Sequence, residues 1–308
     1  MIPLSGAGIV SRARFAAATL LALVLAIALA GCSDASGEGA AGPPPSPLLY
    51  EIASADGAVE GWMLGTIHAL PPGTSWRTPA IGRVADIADI LVVEIAALDD
   101  RRKLAATFSA LGTTPGLRPL DQRVPARLRA KLAALLDRGD MEANQFTSTE
   151  SWAAALMLAQ IDAEGDPEYG VDRALIREFP ANKVRELEGA RGQLAIFDAL
   201  PEPEQRELIA TVVAESESSR SRARDLRRAW LTGDEAALID AASTGIMADA
   251  ELREALLLAR NRRWDAAIAK MLDQAERPLI AVGTAHLVGA EGLVALLEAR
   301  GYQVTRLR

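Results

Sequence analysis

The sequence predicts an α/β fold: a mixed central sheet built from both ends of the chain, flanked by helices, with a helical middle as a cap. Three observations predict it. Ile90 to Ile95 reads ILVVEI, almost wholly apolar, as a strand covered on both faces must be. The stretch from Pro278 to Leu307 alternates strand, helix and strand patterns. Between them runs a long segment whose apolar residues recur every three or four positions, the helical period. Strands at both ends and helices between them fit one domain whose sheet draws on both termini.

The elements follow in order. Leu48 to Ala53 and Val59 to Ile67 are strands, with Asp56-Gly57 supplying the turn chemistry of a hairpin. Pro79 to Ala88 is a short helix with proline at its start, and Ile90 to Ile95 is the buried strand. Helical spacing marks Ala126 to Asp137, Ser151 to Ala163, Pro203 to Trp230, Asp234 to Ala242 and Glu251 to Gln274. One strand, Val184 to Leu187, interrupts this region. The chain closes with a strand at Pro278 to Val282, a helix at Ala290 to Arg300 and a strand at Tyr302 to Leu307. Gly301 stands where a helix C-terminus favours glycine.

The first 47 residues read differently. Met1 to Ala30 has two arginines, Arg12 and Arg14, no acid, and an apolar run from Phe15 to Ala30 that is short for a membrane span. Leu29-Ala30-Gly31-Cys32 follows, with small residues ahead of the only cysteine in the chain. The segment resembles a bacterial lipoprotein signal, with residues 1–31 removed and Cys32 carrying the lipid. Residues 32–47 have the Gly, Ser and Pro composition of a tether, and the folded domain spans 48–308. The expected location is the cell envelope, with the membrane as a partner through lipidated Cys32. Ser33, rather than Asp, after the cysteine favours the outer membrane, facing the periplasm. A lone thiol excludes an internal disulfide framework, so the core must hold the fold. A net charge of −8 argues against a nucleic-acid partner, which needs a basic surface.

The two histidines of the chain lie in near-copies of one phrase, Gly65-Thr66-Ile67-His68 and Gly283-Thr284-Ala285-His286. Each phrase follows an apolar strand, so each histidine stands at a strand's C-terminal edge, where ligands of α/β sheets bind. Both imidazoles are expected to leave that edge towards solvent rather than fill the core. Glu94 ends the buried strand, where a carboxylate is costly unless paired, hydrogen-bonded or bound to a metal. Two imidazoles and a carboxylate make a common ligand set for a catalytic divalent ion. The other reading of the same residues is two hydrogen-bonded structural histidines and a glutamate in a salt bridge. Asp172, Glu188 and Arg260 are further candidates. Glu188 ends a strand, and Arg260 and Asn261 suit a substrate carboxylate or a ligand carboxylate.

The paired Gly-Thr-x-His phrases and the Glu94 strand resemble the TraB/GumN family, which includes the Tiki proteases. Gly170-Val171-Asp172, Leu187-Glu188 with Gln193, Trp230 with Gly233-Asp234, and Arg260-Asn261 with Trp264 match in the family's order. The resemblance implies a fold like that of erythromycin esterase and ChaN. It also implies a site in which His68, Glu94 and His286 hold a divalent metal, Mn, Co or Zn, with Glu94 or Glu188 as a base. The expected activity is that of a metal-dependent hydrolase, a peptidase by preference, with peptide or small-molecule ligands. The alternative is a non-catalytic envelope protein that binds such a ligand. The ChaN likeness also raises haem or iron binding, but no Tyr or Met is placed as an axial partner.

Overall fold

The structure, a computed structural model, describes residues 44–308. The expected signal, Cys32 and most of the tether lie outside the described residues. Six strands form one sheet: β1 (Leu49–Ala53), β2 (Val59–Thr66), β3 (Ile90–Val93), β4 (Val184–Glu186), β5 (Pro278–Gly283) and β6 (Gln303–Leu307). Their order across the sheet is β4-β3-β5-β2-β1-β6. The run β4-β3-β5-β2 is parallel throughout, and β1 is antiparallel to both of its neighbours, β2 and β6. The sheet is therefore mixed and joins both chain ends, as the sequence predicts. β3 and β5 are buried along their whole lengths because the sheet is covered on both faces.

The helices are α1 (Pro79–Ile87), α2 (Arg101–Leu111), α3 (Arg129–Arg138), α4 (Ser151–Ala159), α5 (Val171–Glu178) and α6 (Gly189–Asp198). After them come α7 (Glu202–Glu215), α8 (Ser219–Thr232), α9 (Glu235–Ala241), α10 (Ala250–Arg253), α11 (Ala259–Leu272) and α12 (Leu293–Ala299). Three of these, α2, α5 and α6, fall where the sequence marks no helix. α5 is eight residues long and, beside its apolar face, buries Asp172 and Arg173. The expected helix from Pro203 to Trp230 is two helices, α7 and α8, broken at Ser216-Glu217-Ser218. There Ser216 and Ser218 turn their hydroxyls onto the backbone carbonyls of Val213 and Glu215. The expected helix from Glu251 to Gln274 is continuous but contains a π-helical turn over Glu254–Leu258.

Two apolar cores result. One holds the strands with α1, α5, α11 and α12. The other fills the helical middle, where Trp152 meets the edge of Phe108 and stacks on Phe197. Ile176 of α5 packs against both, joining the cap to the sheet. Among the described residues no helix is long and apolar enough to cross a membrane.

Candidate functional site

Because β2, β3, β4 and β5 are parallel, their C-termini share one edge. His68 lies two residues past β2, Glu94 one past β3, Glu188 two past β4, and His286 three past β5. Residues distant in the sequence thus share the edge. Parallel register sets Thr66 against Gly283 and Val93 against Ala281, so the two Gly-Thr-x-His phrases run side by side.

The phrases interlock. A Cβ on Gly65 would come within 2.5 Å of Thr284 Oγ1, so glycine there makes room for the threonine of the other phrase. Thr284 Oγ1 donates to the Thr66 carbonyl (3.1 Å), and Trp230 Nε1 donates to the Gly65 carbonyl (2.8 Å). Gly170 plays a like part for α5. A Cβ there would lie 2.2 Å from the His68 carbonyl oxygen, so only glycine lets α5 start against the His68 backbone. Val171 N–H donates to the Ile67 carbonyl (3.0 Å), fixing that start.

Asp172 sits in the first turn of α5 and reaches both residues of the first phrase. Its Oδ1 accepts from Thr66 Oγ1 (2.7 Å), and its Oδ2 from His68 Nδ1 (2.7 Å). With Nδ1 so engaged, His68 Nε2 faces Glu94 Oε1 at 4.0 Å. Burial opposes a charge on His68, but the Asp172 carboxylate, aided by Glu94, outweighs it and raises the pKa to about 9. Burial likewise opposes the charge on Asp172, and His68 and Thr66 outweigh it, so the Asp172 pKa is lowered.

His286 is the opposite case. It is fully buried, where the sequence reading has it pointing to solvent; the turn after β5 folds it beneath α11 instead. The ring of Trp264 lies against it, with centroids 4.3 Å apart. Asn261 Nδ2 donates to the Glu291 carbonyl (2.8 Å), which turns Asn261 Oδ1 towards His286 Nδ1 (2.5 Å). An amide oxygen only accepts, so Nδ1 carries the proton and Nε2 presents a lone pair. Nε2 has no hydrogen-bond partner among the described residues. Burial, then the charges of Arg260 and His68, hold the His286 pKa well below its usual value, so the ring is neutral.

Glu94 is tightly held. Oε2 accepts from Arg260 (2.7 Å) and from Gln193 Nε2 (2.9 Å), and Oε1 from the Gly283 N–H (2.8 Å). The Glu94 carbonyl accepts from Glu188 N–H (3.2 Å) and Gly189 N–H (3.0 Å), which draws the end of β4 alongside. Glu188 then meets Arg260 at 2.9 Å and Arg263 at 3.2 Å. Arg260 is fully buried and also donates to the Leu256 carbonyl (3.1 Å), within the π-helical turn. Its guanidinium is thus spent on two carboxylates of the site and one carbonyl. Asn261 is spent on His286 and the Glu291 carbonyl. Thr66 has no role in the sequence reading; the repeated threonine of the two phrases is the signal that points to it.

Each imidazole is held at Nδ1 by a fixed partner and offers Nε2, the arrangement usual for metal-ligating histidines. Glu94 Oε1 lies 4.0 Å from His68 Nε2. Glu94 and Glu188 share the fully buried Arg260, Glu188 also meets the half-exposed Arg263, and Asp172 pairs with His68. Among the described residues no group of three or more His, Cys, Asp or Glu side chains stands ready to hold a metal ion.

Comparisons with curated proteins and with solved structures gave no match. The model of the TraB/PrgY/gumN family matches residues 48–306, nearly all of the described chain, and the chain belongs to that family.

Proposed function

We propose that the protein is a membrane-anchored, metal-dependent hydrolase acting on peptides, with its site at the shared edge of the four parallel strands. The observation that carries the reading is His286 Nε2: a lone pair on a neutral, fully buried ring, without a partner among the described residues. Buried polar atoms of native proteins have partners, and one left bare points to a ligand. His286, His68 and Glu94 would hold a divalent ion, Mn, Co or Zn. Such an ion, when bound, polarises a carbonyl and activates water for attack.

The chain's own residues do the rest. Asp172 and Asn261 fix the two rings by their Nδ1 atoms and so aim both Nε2 atoms. Arg260 offsets the charge of Glu94 and Glu188 and holds both in place. Glu188 is the residue available to take a proton when Glu94 serves as a ligand, provided that it turns out of its pairing with Arg260 and Arg263. Anchorage through Cys32 would keep this chemistry at the cell envelope, the outer membrane by preference.

A second reading, a non-catalytic envelope protein for a peptide or small ligand, is favoured by one observation. Glu94, Arg260 and Glu188 form a network of buried ion pairs, and such a network holds a fold together without a metal. Elemental analysis separates the two readings. Protein purified without a metal-affinity tag, then stripped and reloaded, is expected to hold one divalent ion per chain. A chain that never holds one is the binding protein.

A further inference from the structure

Two unpartnered polar atoms occur on neighbouring rings at this edge, tilted 43° to one another. His286 Nε2 offers a lone pair, and Trp264 Nε1 offers an N–H; neither has a partner among the described residues. Both side chains are buried, at 0 % and 2 % exposure, so bulk water does not serve them. An indole N–H left bare in a core is costly, and here a bare acceptor lies on the adjoining ring. The ring of Trp264 is fixed from two sides. Arg260 lies over it at 4.6 Å and His286 against it at 4.3 Å, so the N–H has a set direction.

We infer that Trp264 is a binding residue of the site: its indole N–H donates to an oxygen acceptor held beside His286 Nε2. The acceptor is a water molecule in the resting protein and the carbonyl oxygen of a substrate when one binds. Indole is a donor only, so Trp264 selects for oxygen acceptors and against N–H donors at that place. In acyl transfer such a donor is set where charge develops on the carbonyl oxygen. The inference rests on the metal reading of His286.

The test follows the indole resonances of the full chain, labelled with 15N and held in detergent, during titration with Zn2+ and then with acetohydroxamate. Calorimetry is run in parallel, and the Trp264 peak is the one missing in Trp264→Phe. That variant keeps an aromatic ring at the position and removes the donor along with part of the indole. The expected result is a Trp264 peak that moves with the same endpoint as the heat of Zn2+ binding and does not move in His286→Ala. A further move on acetohydroxamate assigns the acceptor in the liganded state to the carbonyl; a move with Zn2+ alone assigns it to water. Trp264→Phe is expected to weaken acetohydroxamate about tenfold while leaving the chain folded by circular dichroism, with a melting temperature lowered only by the smaller ring. Zn2+ heat that saturates while the Trp264 peak stays still in both arms overturns this inference and leaves the metal reading standing. Absence of any heat overturns the metal reading, and this inference with it.

Discussion

At His68 and His286 the same side chain is held in two electrical states. The Asp172 carboxylate keeps a proton on His68 to about pH 9, whereas burial and the charges of Arg260 and His68 keep His286 neutral. In the metal-free protein the folded pKa of His68 lies above its ordinary 6.5, so folding tightens its proton. The stability that this gives is present in full below pH 6.5 and is lost as pH rises through about 9; its size is on the order of 1–3 kcal/mol. Melting temperature against pH should show that loss in wild type and not in Asp172→Asn. A divalent ion must also displace the His68 proton. At pH 7.5 its uptake should release about one proton, read as a binding enthalpy that changes with the ionisation enthalpy of the buffer. Asp172→Asn should lower that release. On the other ring, Asn261→Ala frees His286 to turn and should weaken metal binding about 10- to 100-fold, measured by competition with a chelator. Of these residues, the sequence shows the histidines through their repeated phrase, and Glu94 through its place at the end of an apolar strand. The burial of His286 is hidden from it, because α11, which covers the ring, comes just before β5 in a segment whose helical period does not show what it packs against.

Among the elements, strands are the more legible. All six occur where the sequence marks them; two-sided burial leaves plain apolar runs in β3 and β5, and Gly57 of the turn between β1 and β2 takes φ +86°. Helices are less so. α5 buries two charged residues beside its apolar face: Asp172 holds the first phrase, and Arg173 pairs with Asp99. Its position depends on Gly170. Gly170→Ala would push a methyl group into the His68 carbonyl and should cost about 1–3 kcal/mol in chemical denaturation. The same change should lower the His68 pKa in an NMR titration, because α5 carries Asp172 away. An unaltered titration would show that α5 does not set the site. The π-helical turn at Glu254–Leu258 also escapes a reading of periodicity. It leaves the Leu256 carbonyl to accept from the Arg260 side chain, just where α11 meets the site.

On the scale of the whole molecule, Arg260 is where the pieces meet. It links Glu94 after β3, Glu188 after β4, the π-helical turn and Trp264 of α11. Arg260→Gln leaves two buried carboxylates without their cation and should cost about 3–5 kcal/mol, read as a lower denaturant midpoint. The loss should be smaller at acid pH, where the carboxylates take up protons. The chain-wide plan, a sheet from both termini with a helical cap between, follows from the order of strand-like and helical segments. What joins cap to sheet, Ile176 and the Arg260 network, depends on contacts between distant segments and has no local signature. The claim that both histidines serve one ion is tested most directly by counting divalent ions on stripped and reloaded protein, for wild type and for His68→Ala, His286→Gln and Glu94→Gln. The account predicts one ion per wild-type chain and a loss of it in each variant that remains folded by circular dichroism; no ion on wild type, or one ion held equally by all four proteins, would contradict it.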